Sequence, residues 1–260
     1  MQEMEAYSEQ VLLCEDSPEG VFTGIYEAYA CKYKLNNTRI VIGEEDELRL
    51  FACYHEVSTD YEKAEKVMRT IQRYAGVEVY RQLHMALSSE DSGKGNSVFK
   101  TVVQIVNDPG KACRVMDRLA DTYVHKTFTL FRNVQNEMHR MKEFLRFQEL
   151  DNGVLYSRIA PTSNVVAYLM PHFSDRFPLE NFLIYDEKRN LLGVHPARGE
   201  WYVMHDMQVD TEALFFSDVE EKYRELFKYF CHRIAIKERE NPDLQRNMLP
   251  LRLMDYMVEF

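Results

Sequence analysis

The distribution of strand and helix patterns along the chain constrains the fold more than any other feature. Four short apolar segments with the composition of strands lie close together, whereas the helical patterns lie mainly before and after them. Residues 186–190, between the second and third segments, have the composition of a hairpin turn. The segments are Val154 to Ile159, Phe182 to Tyr185, Leu191 to Val194 and Trp201 to Met204. We therefore predict an α+β fold, rich in helix, with a small, mostly antiparallel sheet.

The first third of the chain carries further strand and helix patterns. Gln10 to Cys14 and Arg39 to Ile42 are predicted strands, and Ser17-Pro18-Glu19 between them is a typical helix start. Ser58 or Thr59 is the predicted cap of a helix that ends near Tyr74. Other helices are predicted at residues 77–87, within residues 107–149 and from about Asp218.

A change in composition near residue 90 suggests the domain organisation. Residues 88–97, SSEDSGKGNS, have the composition of a linker, and a chain of 260 residues suits one large domain or two small ones. We predict an acidic N-terminal α/β segment at residues 1–87, a linker-like loop at 88–97 and a second domain at 98–260. The alternative is that the two domains pack as one compact unit.

Cysteine usage and hydropathy exclude several classes of protein. The five cysteines are far apart and form no CxxC pair, which argues against a disulfide framework and against a zinc site. We expect neither a metal nor a cofactor. The acidic start of the chain has no apolar stretch typical of a secretory signal, and the apolar run Val165 to Met170 is too short to cross a bilayer. The sequence therefore predicts a cytoplasmic protein that does not enter a membrane.

Charge is distributed unevenly along the chain. The formal net charge is −10, and residues 1–62, with fourteen acidic and four basic side chains, account for all of it. Residues 110–146 carry eight Lys or Arg against four Asp or Glu. Because nucleic-acid binding depends on a local basic face rather than on total charge, this asymmetry permits contact with DNA.

A helical wheel of residues 130–147 separates an apolar face from a polar one. Phe131, Val134, Met138, Met141 and Leu145 share the apolar face. The opposite face carries Arg132, Asn136, His139, Glu143 and Arg146. This second face is either an ordinary solvated surface or a set of cationic and amide groups that contacts a phosphate backbone.

Two histidine- and arginine-bearing segments follow at residues 172–177 and 182–189. His172 and Arg176 are four residues apart, so they share one face of a helix. Asp186 and Arg189 flank the predicted hairpin turn. One interpretation gives these residues local roles in capping and turn formation. The other brings them together, so that a pair formed by His172 and Asp186 transfers protons as general acid and base.

Three blocks of the sequence resemble a bacterial family labelled "probable DNA metabolism protein". The first block is similar at Met141, Lys142, Phe144, Arg146 and Phe147, although Glu143 replaces the family's glycine. The second comprises residues 172–177 and 182–189. The third, IAIKERENPDLQRNMLPLR at residues 234–252, contains Arg239 and Arg246; after it, Leu253 and Met254 replace the family's Tyr-Trp pair.

The resemblance implies a biological setting rather than a reaction. Family members occur beside a radical-SAM protein of DNA modification or repair, and some are fused to uracil-DNA-glycosylase-like domains. The expected function is therefore to bind DNA and assist a radical-SAM partner. The phosphate-facing cations would be Arg140, Lys142, Arg146, Arg176, Arg189, Arg239 and Arg246. Two alternatives stay open: an enzyme that acts on DNA or a nucleotide through His172 and Asp186, and an adaptor that binds only proteins.

Overall fold

The computed structural model describes residues 9–43, 49–210, 214–234, 241, 243–244, 249, 254 and 256–257, with the side chain of residue 232 excepted. Two compact units divide the chain, Met1–Asn136 and Glu137–Phe260. The division does not coincide with residues 88–97, and the helix α4 begins inside that segment, at Lys94. The domain boundaries drawn from composition stay a prediction.

The first unit contains a three-stranded sheet in which every described pair is parallel. Its strands are β1 (Glu9–Cys14), β2 (Thr38–Ile42) and β3 (Ala52–Val57), in the order β2-β1-β3. Helix α1 (Pro18–Ala30) connects the first two strands. Ser17 caps α1 by accepting a hydrogen bond from the Gly20 N–H at 2.9 Å, as its Ser-Pro start predicts.

Helices make up the rest of the first unit. Asp60, and not Ser58 or Thr59, caps α2, because its carboxylate accepts hydrogen bonds from the N–H groups of Glu62 and Lys63. The helices are α2 (Tyr61–Ala75), α3 (Val77–Leu87) and α4 (Lys94–Asn107), with 3₁₀ segments at Leu35–Asn37 and Pro109–Asp117. Helix α5 (Thr122–Phe144) begins in the first unit and ends in the second.

The second unit contains a five-stranded mixed sheet. Its strands, in the order β4-β5-β6-β7-β8, are β4 (Gln148–Glu149), β5 (Leu155–Ile159), β6 (Phe182–Asp186), β7 (Leu191–His195) and β8 (Tyr202–Met204). The strands β5 and β6 are parallel because helix α6 (Val166–Arg176) connects them, and the remaining pairs are antiparallel. Helix α7 (Asp218–Ile234) follows the sheet.

Each face of the second sheet has its own apolar layer. Helix α6 lies against β7 at Gly193, where an added Cβ would stand 2.5 Å from the Met170 sulfur and 3.0 Å from a Val166 methyl group. The absence of a side chain at Gly193 therefore permits this close packing. The other face carries a cluster of Leu150, Tyr156, Tyr185 and Leu192.

The predicted fold class is wrong in its sheet. The α+β composition holds, but the single small, mostly antiparallel sheet is replaced by two sheets, one entirely parallel and one mixed. Two polar strands, β3 and β4, were not predicted, and the intervening helix α6 makes β5 and β6 parallel. Within the described residues, no helix is both long enough and apolar enough to cross a membrane.

Candidate functional site

The amphipathic character predicted for residues 130–147 is confirmed up to Phe144, where helix α5 ends; Leu145 and Arg146 lie beyond it. Phe131, Val134, Met138 and Met141 are buried. On the opposite side Arg132, His139 and Arg140 are exposed. The end of this helix therefore presents cations to solvent while its apolar side chains are buried.

Three residues from the first two family-like blocks form what we call the basic cluster: Lys142, His172 and Arg176. Partial burial of the imidazole and the positive charges of Lys142 and Arg176 lower the pKa of His172, which Asp175 partly opposes. Lys142 comes from the last turn of α5, and the other two residues come from the last two turns of α6. Lys142, 30 positions before His172 in the sequence, is thus near enough for its charge to act on the imidazole.

Arg146 and Phe147 follow Lys142 in the sequence, and their side chains contact other parts of the protein. A guanidinium nitrogen of Arg146 donates hydrogen bonds to the backbone oxygens of Glu143 at 3.0 Å and of Leu145 at 3.3 Å, which satisfies carbonyl groups at the end of α5. The Phe147 ring packs edge-on against the rings of Phe173, Phe177 and Phe182. This part of the first block therefore stabilises the fold around α6.

Asp186 and Arg189 form a pair that holds the hairpin and a neighbouring loop. The Asp186 side chain is fully buried; it accepts hydrogen bonds from the Lys188 N–H and from the Arg189 guanidinium at 3.1 Å each. Arg189 also donates to the backbone oxygens of Pro161 and Thr162. Burial raises the pKa of Asp186, although the adjacent guanidinium lowers it. The local role considered for this pair is therefore the one that its contacts support.

Glu137 binds the same loop and was missed in the sequence, where it is an isolated acid on a helix. Its buried carboxylate accepts hydrogen bonds from the N–H groups of Thr162 at 2.7 Å and Ser163 at 2.8 Å. Arg189 binds carbonyl groups of this loop, whereas Glu137 binds its amides. Together they fix the backbone that leads into α6, and so they set the position of His172 and Arg176.

The structure does not pair His172 with Asp186. Asp186 is bonded through Arg189 to the loop that precedes α6, whereas His172 lies six residues beyond the first residue of that helix, about 9 Å along its axis. Both carboxylate oxygens of Asp186 bond to groups of the hairpin. The acid–base pair proposed for these two residues is therefore not assembled.

An open cleft of about 570 Å³ lies at the C-terminal end of α6. Ser174 and Asp175 of this helix line it, so the second family-like block contributes to the basic cluster and to the cleft at once. We call this opening the α6–β7 cleft. Its full lining is Ser174, Asp175, Pro178, His195, Arg198, Gly199, Glu200 and Trp201.

The loop at residues 196–201 forms one wall of the cleft and is anchored by its backbone. The Arg198 N–H donates to the Pro178 oxygen at 2.8 Å, and the Ala197 N–H donates to the Asn181 side-chain oxygen at 2.9 Å. Arg198 has a φ of 62°, a conformation that residues other than glycine rarely adopt. The anchored backbone holds the exposed Arg198 side chain at the rim.

His195 lies at the end of β7 and is fixed on two sides. Its Nδ1 donates to the Glu180 carbonyl at 3.0 Å, because a carbonyl oxygen can only accept. Its ring stacks on that of Phe182, the residue opposite it in the sheet, at 4.7 Å between centroids. With Nδ1 protonated, the neutral ring presents Nε2 as a hydrogen-bond acceptor.

Sequence reasoning missed the cleft because its residues match no known spacing. In the sequence, His195 belongs to no metal-ligand or catalytic spacing, and Trp201 begins a predicted strand. One local feature of the sequence could have indicated the cleft: the chain's single tryptophan follows a short polar loop that contains Arg198 and Glu200.

Two of the predicted cations, Arg239 and Arg246, lie outside the described residues, as does most of the third block. Within the described part of the chain, no three His, Cys, Asp or Glu side chains are grouped to hold a metal ion.

Comparisons with known proteins place the site within a matched region. Residues 93–259 match a family described as a domain of unknown function, DUF4130. No curated protein matches the chain. Among solved structures, it is similar to one described as "Member of s1p family of ribosomal proteins PF0399 DHH domain", with 8% identity and a TM-score of 0.43 over 75% of this chain and 74% of that chain.

Proposed function

Since this chain belongs to the DUF4130 family, a family of unknown function, we propose its function from the geometry of its second unit. The protein binds nucleic acid in DNA repair or modification, with Lys142, Arg176 and Arg140 in contact with phosphate groups. It assists a radical-SAM protein, the partner that the resemblance of its three blocks implies.

The basic cluster is the observation that carries this proposal. Lys142 and Arg176 lie close enough to His172 for both charges to lower the pKa of the imidazole. Cations concentrated in this way attract a phosphate backbone and release its counterions. Arg140 is exposed on the same helix as Lys142, two residues earlier. A local basic face of this kind supports DNA binding by a chain whose net charge is −10.

The hydrogen bonds of Arg189 and Arg146 within the protein reduce the number of predicted cations that we assign to phosphate binding. Arg189 binds Asp186 and two backbone carbonyls, and Arg146 binds the end of α5, so both are assigned to the fold. The catalytic alternative loses its support because His172 and Asp186 are not paired. Binding is therefore favoured over acid–base catalysis by these two residues.

The proposal is tested with the Lys142→Ala/Arg176→Ala double variant. Binding to a labelled single-stranded oligonucleotide is measured by fluorescence anisotropy over a series of salt concentrations. We expect weaker binding than in the unmodified protein. The slope of log K against log salt should fall by about 1.4, since each phosphate contact on a single strand contributes about 0.7.

A charge-matched variant controls for the loss of two cations. Arg69→Ala/Arg73→Ala removes two exposed arginines from α2 and should leave affinity and slope nearly unchanged. Circular dichroism establishes that both variants are folded. Equal binding by the two double variants and the unmodified protein would overturn the assignment of the basic cluster.

A further inference from the structure

We infer that the α6–β7 cleft binds one unpaired nucleobase of a single-stranded nucleic acid. Its volume of about 570 Å³ lies in the range of cavities that hold small organic ligands. The inference rests on the proposed function, since the base would belong to the strand that the basic cluster binds. It adds a ligand class and a set of residues that phosphate binding alone does not require.

Trp201 supplies a stacking surface. Its indole is partly buried and lines the cleft, so one part of the side chain is held by the protein while another part faces the open space. Bases of single-stranded nucleic acids stack on aromatic side chains, and every base has the flat face that this contact needs.

The polar side chains that line the cleft are better suited to bind the edge of a base than to bind a simple anion. Asp175 and Glu200 bring two carboxylates, which would repel a free phosphate but accept hydrogen bonds from the amino and imino groups of a base. The Ser174 hydroxyl both donates and accepts, and His195 adds an acceptor at Nε2. This mixture of donors and acceptors matches the edge of a heterocycle.

Arg198 gives the cleft a cation at its rim. Its side chain is exposed, while its backbone N–H is bonded to the Pro178 oxygen. A guanidinium held there can bind the phosphate of the nucleotide whose base is inside, or stack on its ring. Because the loop is anchored before binding, less conformational entropy is lost on complex formation.

The cleft and the basic cluster share one helix end. Asp175 lines the cleft, and the next residue, Arg176, belongs to the basic cluster. A strand bound at Lys142 and Arg176 would therefore pass the opening of the cleft. Phosphate contacts would hold the strand, and the cleft would receive a base from it.

The chain's single tryptophan makes the inference directly measurable. Emission excited at 295 nm reports on Trp201, and anisotropy of a label on the oligonucleotide reports on binding in the same sample. The two probes are a single-stranded 12-mer of mixed sequence and a 12-mer with the same phosphates in which every position is abasic. We expect saturable quenching of Trp201 by the first probe and little quenching by the abasic one.

Variants separate stacking from general binding. Trp201→Ala should lower affinity for the 12-mer with bases by about tenfold and affinity for the abasic 12-mer by less than about twofold. Trp201→Phe keeps an aromatic face and should retain most of the affinity, which identifies any loss caused by misfolding of the alanine variant.

The outcomes distinguish this inference from the proposed function. If both probes bind by anisotropy and Trp201 emission changes with neither, the cleft is not a base site although nucleic-acid binding stands. Equal quenching by both probes would also overturn the inference, since the base would not be required. If neither probe binds, both proposals fail.

Discussion

At the scale of single residues, differences in burial assign different roles to side chains that the sequence presents as candidates for the same role. Asp186 and His172 were candidates for the same reaction, yet the carboxylate of Asp186 is fully buried and bonded to Arg189. His172, in contrast, is partly exposed beside two cations. A carboxylate whose oxygens are both bonded to the hairpin contributes to stability rather than to proton transfer with a distant imidazole.

Replacing Asp186 should therefore reduce stability more than replacing His172. Asp186→Ala leaves the mostly buried guanidinium of Arg189 without its carboxylate, and we expect a loss of about 3 kcal/mol in the free energy of unfolding. His172→Ala should cost less than about 1 kcal/mol, as is usual for a partly exposed site. Urea denaturation measures both. Equal losses would contradict the structural role of Asp186.

At the scale of elements, helix α6 connects stability to the site. Its entry loop is fixed by Glu137 and Arg189, its middle packs on Gly193, and its last turns carry His172 and Arg176. A contact made at the start of the helix thus determines where the cations at its end are placed.

The pKa of His172 tests the arrangement of these last turns. Because the positive charge of Arg176 disfavours the protonated ring, Arg176→Ala should raise the pKa of His172 toward 6.5. Asp175→Asn is the control of opposite sign: it removes a negative charge and should lower that pKa further. Titration of the imidazole followed by NMR measures both shifts. Shifts in the same direction in the two variants would show that these charges do not surround His172 as described.

On the proposal that the basic cluster binds DNA, the same pKa predicts how that binding depends on pH. In the free protein, His172 becomes cationic only as the pH falls below its lowered pKa, and the added charge should strengthen phosphate binding there. Acidification also lowers the free energy of unfolding of the free protein. Because the pKa of His172 is lower in the folded state, the unfolded chain binds the proton more readily once the pH falls below about 6.5.

A helix or strand could be predicted from the sequence where its own residues determine it, and not where contacts with residues far along the chain determine it. The strands β6 and β7 were predicted because Phe182 to Tyr185 and Leu191 to Val194 are apolar runs on either side of a turn, and the structure extends each by one residue. Strand β3 was missed because Tyr54, His55 and Glu56 give it a polar composition. Parallel pairing depends on which strands lie side by side after a helical connection, and periodicity carries no information on that. The cleft depends in the same way on distant contacts, such as that of Arg198 with Pro178.

At the scale of the whole molecule, charge and apolar surface are distributed in ways that suit two kinds of partner. Residues 1–62 carry a net charge of −10, which disfavours DNA contact by that part of the chain. Helix α7 exposes large apolar side chains, among them Leu226 at 61% and Phe230 at 54%. Exposed apolar groups at helical spacing are typical of a surface that binds protein.

On the proposal that this protein assists a radical-SAM partner, we expect that partner to bind without DNA. We expect a complex of the two purified proteins to survive nuclease treatment on size-exclusion chromatography. Leu226→Asp/Phe230→Asp should abolish it, since charged groups replace two apolar side chains one helical turn apart. Lys228→Asp changes an exposed side chain of the same helix and should have little effect. Loss of the complex on nuclease treatment alone would show that nucleic acid joins the proteins.

The order β2-β1-β3 has a consequence for synthesis of the chain. Among the three strands of its sheet, β1 is synthesised first, yet it is the middle strand, and its neighbour on one side ends only at Val57. Until β3 has emerged, one edge of an apolar strand, including the fully buried Val11, has no hydrogen-bonding neighbour. A nascent chain paused at that stage would display an aggregation-prone edge, so chaperones that bind early in translation should favour its correct folding.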